Sequence, residues 1–171
     1  MTSTHVLLDL LLSSRENYDR VQEEAIAAFN TYHSGSNVSL LTQLPCADSA
    51  LRESMRLHPL FVPFPVMKVM QEGGITLPTG EHMPFGSFIG TPIFRVHMDP
   101  DSYPEPEEYL PFRFLRATVP TQNEEVQGFE TEISATAATD SFLSFGAGRH
   151  TWYVQYTRDF VDEWLLIDVV F

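Results

Sequence analysis

The chain has 171 residues, the length of one ordinary domain, and 43% of them are hydrophobic, which supports a packed core and excludes a disordered protein. With 10 basic against 23 acidic residues the net charge is −13, which argues against a nucleic-acid surface or an anionic membrane as partner. A single cysteine, Cys46, excludes an intramolecular disulfide and a cysteine-clustered zinc site, and points to a reducing compartment.

From the N-terminus, His5 to Leu12 reads as the end of a helix. Ser13 with Glu16 makes a capping box for a second helix from about Ser14 to Tyr32, along which Tyr18, Val21, Ala25, Ala28, Phe29 and Tyr32 recur at helical spacing. The polar run Ser34 to Ser39 closes the pair. A third helix, opened by Pro45 or capped near Asp48, ends at Pro59, with Leu51, Met55 and Leu57 on its apolar side and Glu53 and Arg56 one turn apart.

Past Phe61 the pattern becomes extended. Val66 to Met70, Ile75 to Leu77 and Phe85 to Ile89, separated by Glu72-Gly-Gly and Pro78-Thr-Gly80, predict a small antiparallel sheet. Thr91 to Met98 follows as a short helical piece. Asp101 to Phe114 carries Pro104, Pro106 and Pro111 among buried-type aromatics, so it predicts a packed meander rather than helix or central strand. Residues 118–141, polar and rich in Thr and Ala, are expected to be a surface insertion, after which Phe142 to His150 re-enters the core. The apolar runs Val6 to Leu12 and Trp164 to Phe171 are short and carry Asp9 and Asp168, so no membrane segment is expected.

Two constellations bear on chemistry. A lone Glu-x-x-Arg is ordinarily a solvated helix pair. Here the helix is framed by leucines and prolines, and Pro111-Phe-Arg-Phe114 offers a second guanidinium, so that both oxygens of a buried Glu53 carboxylate can be satisfied. In Phe145-Gly-Ala-Gly-Arg-His-Thr-Trp152, two glycines one residue apart follow an aromatic and precede Arg149 and His150, a pattern for a tight backbone passage beside something flat and anionic. His58, His82 and His97 lack metal-ligand spacing and read as surface or hydrogen-bonded side chains.

Taken in order, Glu53-Ser-Met-Arg56 with Leu57-His-Pro59, His97-Met-Asp-Pro100, Tyr103-Pro104, Pro111-Phe-Arg-Phe114 and Phe145-Gly-Ala-Gly-Arg-His150 resemble the C-terminal landmarks of the cytochrome P-450 superfamily, in the style of its fungal members. The resemblance runs from about Leu7 to Thr151 and implies that residues 1–151 are the C-terminal part of such a domain. It implies that Glu53, Arg56 and Arg113 form the family's structural triad, which locks helix, meander and haem loop together. Cofactor contacts are implied at Phe145, the aromatic beside the proximal ligand; at Gly146 and Gly148, which let backbone approach the macrocycle; and at Arg149 and His150, which look like propionate partners. Lys68 occupies the place of a further propionate-binding base. Phe112 stands where many members carry an acidic residue. Thr2 and Thr4 lie near the place of the family's distal threonine but read as frayed terminal residues.

The family's proximal ligand is a cysteine thiolate, which donates electron density that promotes O–O cleavage. Its position here is Trp152, whose indole has no accessible lone pair, so neither a metal ligand nor a catalytic residue is assigned. Cys46 reads as a small core residue. His150 stands two residues from the ligand position and would be aimed wrongly for iron. Where the family continues Pro-Gly, this chain reads Tyr153-Val-Gln-Tyr. Trp-Tyr-Val is encoded TGG TAY GTN, which contains a hexamer resembling a fungal splice donor; residues 152–171 are therefore expected to be an aberrant tail of translated intron.

The expected fold class is α+β, mainly helical with a small antiparallel sheet, a partial cytochrome P-450 fold. The resemblance implies a haem-thiolate monooxygenase that places one atom of dioxygen in an apolar small molecule. NADPH-cytochrome reductase would be its partner and the endoplasmic reticulum membrane the location of the full-length parent. For this chain the expectation is an inactive, intracellular fragment, soluble or unstable, that does not retain haem. The alternative is a non-enzymatic degenerate fragment or pseudoenzyme.

Overall fold

Val6 and Leu10, one helical turn apart in a leucine-rich segment, are fully buried and set the inner face of α1 (Thr2–Ser13). The computed structural model of the chain describes residues 2–33, 44–59, 66–117, 129–131 and 137–146. A one-residue break at Ser14 leads into α2 (Arg15–His33). The cap of α2 is Ser14, whose Oγ accepts the Asn17 N–H at 3.1 Å. Ser13, expected to cap with Glu16, is still helical and donates its hydroxyl to Leu10 O at 2.8 Å. Val21, Ala25 and Ala28 bury the inner face of α2.

Helix α3 (Pro45–Leu57) is the centre of the molecule: every residue from Cys46 to Arg56 is buried. Proline at its first position needs no N–H partner, but the next two amides do. Glu24 of α2 supplies them, its carboxylate accepting from Cys46 N at 2.9 Å and Ala47 N at 3.0 Å. Negative charge is favourable at that end of a helix. The C-terminus closes with His58 N donating to Ser54 O at 2.9 Å, just before Pro59.

Beyond α3 come β1 (Val66–Lys68), β2 (Ile75–Thr76), β3 (His82–Met83), β4 (Phe88–Gly90), α4 (Ile93–His97), β5 (Leu115–Ala117) and β6 (Phe129–Thr131). The strands form three antiparallel pairs, β1 with β4, β2 with β3 and β5 with β6, rather than the single sheet expected. In register, Met67 stands opposite Ile89, Ile75 opposite Met83, and Arg116 opposite Glu130. The turns at Gly73-Gly74 and Pro78 to Gly80 interrupt the extended runs after two or three residues, which keeps each pair short. Gly74, at φ +80, is required: a Cβ there would stand 2.3 Å from Met83 O.

Parts of the segment 118–141 are tied into the fold. Phe129–Thr131 pair with β5, Ala137 O accepts Arg52 Nη1 at 2.9 Å, and Ser141 O accepts the Tyr103 hydroxyl at 3.1 Å. The core lies between α1, α2 and α3, with Val6, Leu10, Val21, Leu51, Met55 and Phe142 in one cluster. The class is α+β, mainly helical with small antiparallel ladders. Among the described residues no helix is long and apolar enough to cross a membrane.

Candidate functional site

Ser49, Arg52, Glu53 and Arg56 fall at successive turns of one α3 face. In isolation such a stripe belongs in water, yet all four side chains are at most 1% exposed. Burial of that much polarity is tolerable only if each group finds partners. Two pieces of irregular chain provide them, the meander 101–114 and the segment 137–146.

The meander closes over Glu53 and Arg56. Arg56 grips Glu53 in bidentate fashion, Nε to Oε2 and Nη2 to Oε1, both at 2.8 Å. Arg113 Nε donates to Oε1 at 3.0 Å, and the Leu110 amide donates to the same oxygen at 3.2 Å. The remaining guanidinium donors go to backbone carbonyls: Arg56 to His97, Pro106 and Glu108, and Arg113 to Pro104, Glu105 and Glu108. Carbonyl dipoles thereby balance the net positive charge of one carboxylate facing two guanidiniums, and the same bonds hold a proline-broken segment in one shape. Ser49 Oγ accepts the Phe114 N–H at 3.2 Å and fixes the end of the meander.

The second piece packs on Arg52. Its guanidinium lies 3.8 Å from the Phe142 ring centroid and 5.0 Å from that of Phe114. Burial lowers the Arg52 pKa to about 10, with Tyr103 and Asp48 opposing the shift. Phe142 also stacks with His97, centroids 5.2 Å apart and planes 15° off parallel. The chain then turns: Gly146 N donates to Leu143 O at 2.9 Å, with Gly146 at φ +86. Ser144 Oγ donates to Met55 O at 3.2 Å, and Leu143 N donates to His97 Nε2 at 2.9 Å. Phe145 packs half-buried against the core.

The structure thus brings Arg56 and Arg113 onto the one Glu53 carboxylate and packs Phe145, followed by Gly146, against the core cluster to which α3 contributes. Gly148, Arg149, His150 and Trp152 lie outside the described residues. Lys68 is in β1 opposite Phe88, exposed, with its Nζ 5.7 Å from that ring. Ser49, Arg52 and His97 also tie these segments to α3, through Phe114 N, Ala137 O and Leu143 N. The i, i+3, i+4, i+7 spacing of Ser49, Arg52, Glu53 and Arg56 marks Ser49 and Arg52 in the sequence; His97 has no comparable signal beyond its place beside Asp99-Pro100.

Iron ligation is a matter of the donor set. Cys46, the sole cysteine, is buried in the first turn of α3, and its thiol is pushed up to about 12 by burial and by Glu24 beside it. The indole of Trp152 has no lone pair to give. Among the described residues no group of three His, Cys, Asp or Glu side chains is placed to hold a metal ion. Gly146 at positive φ suits close approach of backbone to a flat group, but a thiolate-ligated iron does not fit the donors of this chain. Two surface clefts, of about 730 and about 670 Å³, flank the meander; neither is lined by Phe145 or Gly146.

Comparison with known proteins gives a consistent assignment. The family model described as Cytochrome P450 matches residues 1–151. The cytochrome P450 monooxygenase efuH of Hormonema carpetanum is 29% identical over 170 residues, which cover 98% of this chain and 30% of that protein. The cytochrome P450 monooxygenase fsoD of Humicola fuscoatra is 32% identical over 153 residues, 86% of this chain and 28% of that one. The chain therefore spans roughly 30% of the length of these curated relatives. Among solved structures, retinoic acid bound cyanobacterial CYP120A1 has the same fold over 99% of this chain and 35% of its own, with a TM-score of 0.60 at 23% identity.

Proposed function

This chain belongs to the cytochrome P450 family, and we propose that it corresponds to the haem-holding part of a haem-thiolate monooxygenase, with the scaffold kept and Trp152 in the place of the family's ligand cysteine. The family function is of the monooxygenase kind. In the whole protein, haem supplies the oxygen chemistry, NADPH-cytochrome reductase supplies electrons, and an apolar small molecule receives the oxygen atom at the endoplasmic reticulum membrane. The residues of this chain would supply the hold: Glu53, Arg56 and Arg113 fix the meander, Phe145, Gly146 and Gly148 would let backbone approach the haem, and Arg149 and His150 would be the propionate partners.

The observation that carries the reading is Trp152 at the ligand position of a chain whose sole cysteine is buried elsewhere. As written, the chain is a non-catalytic member of its family. Translated intron from codon 152 onward accounts for the tryptophan, since a junction inside that codon restores cysteine. Sequencing the transcript across codons 151 to 155 tests this: a spliced message that reads cysteine, proline, glycine supports it, and a message that encodes Trp-Tyr-Val throughout overturns it. The second outcome favours the other reading of Trp152, a pseudoenzyme that binds no haem; titration of the purified chain with haem, followed by absorbance, then shows no saturable binding.

A further inference from the structure

His97 is fully buried where α4 meets the end of α3 and the start of the glycine-loop turn. Its two ring nitrogens face opposite kinds of partner. Nδ1 lies 3.0 Å from Arg56 O, and Nε2 lies 2.9 Å from Leu143 N. A carbonyl oxygen can only accept and an amide N–H can only donate, so Nδ1 must carry the proton and Nε2 must be bare. The contact with Arg56 is reciprocal, because the His97 carbonyl accepts Arg56 Nη1 at 2.8 Å. The ring also stacks on Phe142, which the Arg52 guanidinium contacts as well.

We propose that His97 is a positioning residue for the glycine-loop turn: as the neutral Nδ1–H tautomer it gives Leu143 N–H a fixed acceptor and, like Arg52, packs on Phe142, so setting where Phe145 and Gly146 stand. The role rests on the reading of 143–146 as the entry to the haem loop, but its geometry does not require haem. The charged groups facing the ring are Arg52 and Arg56, both on α3, and both disfavour a second ring proton. A doubly protonated ring would aim Nε2–H at the Leu143 N–H and release the turn. Ser144 to Met55 O would remain as the other tether to α3.

The test uses the full 171-residue chain, isotopically labelled for NMR, with no haem added. In the unsubstituted protein the His97 ring shows the Nδ1–H tautomer and does not titrate between pH 5 and 8, and the Leu143 amide exchanges slowly. His97→Phe keeps a ring on Phe142 but has no acceptor; exchange at Leu143 and Gly146 rises at least tenfold while the amides of Leu51 to Met55 change less than twofold. His97→Gln restores an acceptor at similar reach and returns Leu143 to within about threefold of the unsubstituted rate. A His97 ring that titrates near its ordinary value, or carries its proton on Nε2, overturns the proposal with no variant needed. So does unchanged Leu143 exchange in His97→Phe. Should His97→Phe unfold, His97→Gln decides: slow Leu143 exchange supports the proposal and fast exchange in a folded protein overturns it. Haem titration of the same samples reports separately on the haem-loop reading, so either failure is recognisable by itself.

Discussion

The two ends of the α3 polar stripe bury guanidinium groups by different means. At the meander end, Arg56 and Arg113 meet a carboxylate that is itself out of water, and backbone carbonyls absorb the remaining donors. At the loop end, Arg52 meets the rings of Phe142 and Phe114 and the Ala137 carbonyl, while the neighbouring histidine is kept neutral. Charge complementarity holds a proline-broken segment that has no secondary structure of its own. Stacking and a single neutral acceptor hold the turn that leads into the glycine loop. The first clamp depends on ions being paired, and the second on an ion being absent, so the two respond differently to substitution and to pH.

The largest effect is expected at the meander end. Arg56→Ala leaves Glu53 buried with half its partners and empties a fully enclosed site, and is expected to cost about 3–5 kcal/mol in urea unfolding; a loss below about 1 kcal/mol would show that the pairing is dispensable. The loop end is expected to fail in acid. Burial, with Arg56 and Arg52 nearby, lowers the His97 pKa to about 4, against about 6.5 in the unfolded chain. Between those values only the unfolded chain takes up the proton, so stability from this residue is complete above about pH 6.5 and falls as pH drops through about 4. The sum is roughly 3 kcal/mol, measured as the difference in acid sensitivity between the unsubstituted chain and His97→Gln, in which that component is absent.

Smaller changes sharpen the same contrast. Arg113 is 10% exposed, and Glu53 keeps Arg56 and the Leu110 amide without it, so Arg113→Ala is expected to cost about 2 kcal/mol by denaturation. Glu24→Gln retains an oxygen for the α3 amides but removes the charge from the helix N-terminus, for an expected loss of about 1 kcal/mol. Arg15→Ala breaks an exposed pair with Asp19 and is expected to stay within about 0.5 kcal/mol, which makes it the control for charge removal outside the stripe.

Much of this arrangement is legible in the sequence where it follows a period or a broken pattern. Pro45 and Pro59 bracket α3, helical spacing marks Val21, Ala25 and Ala28, and the three prolines of the meander forbid regular structure there. Glu53, Arg56 and Arg113 are recognisable from the family resemblance and because a buried carboxylate needs matched donors, which two guanidiniums can supply. The remainder depends on contacts between distant parts of the chain. Glu24 capping α3 joins residues 22 and 23 apart, His97 and Leu143 are 46 apart, and Arg52 reaches Ala137 across 85 residues. No local pattern encodes such pairings. Ser13 illustrates the complementary case: its capping signal with Glu16 is good, but α1 packs well enough on α3 to run one residue further, and Ser14 takes the role.

The ligand position decides whether this chain can hold a thiolate-ligated iron. In the ferrous–carbon monoxide difference spectrum of the 171-residue chain mixed with haem, no band of the thiolate-ligated form is expected, because Trp152 offers no lone pair and the thiol of Cys46 is buried beside Glu24. A thiolate-type band from this chain, unaltered, would contradict it.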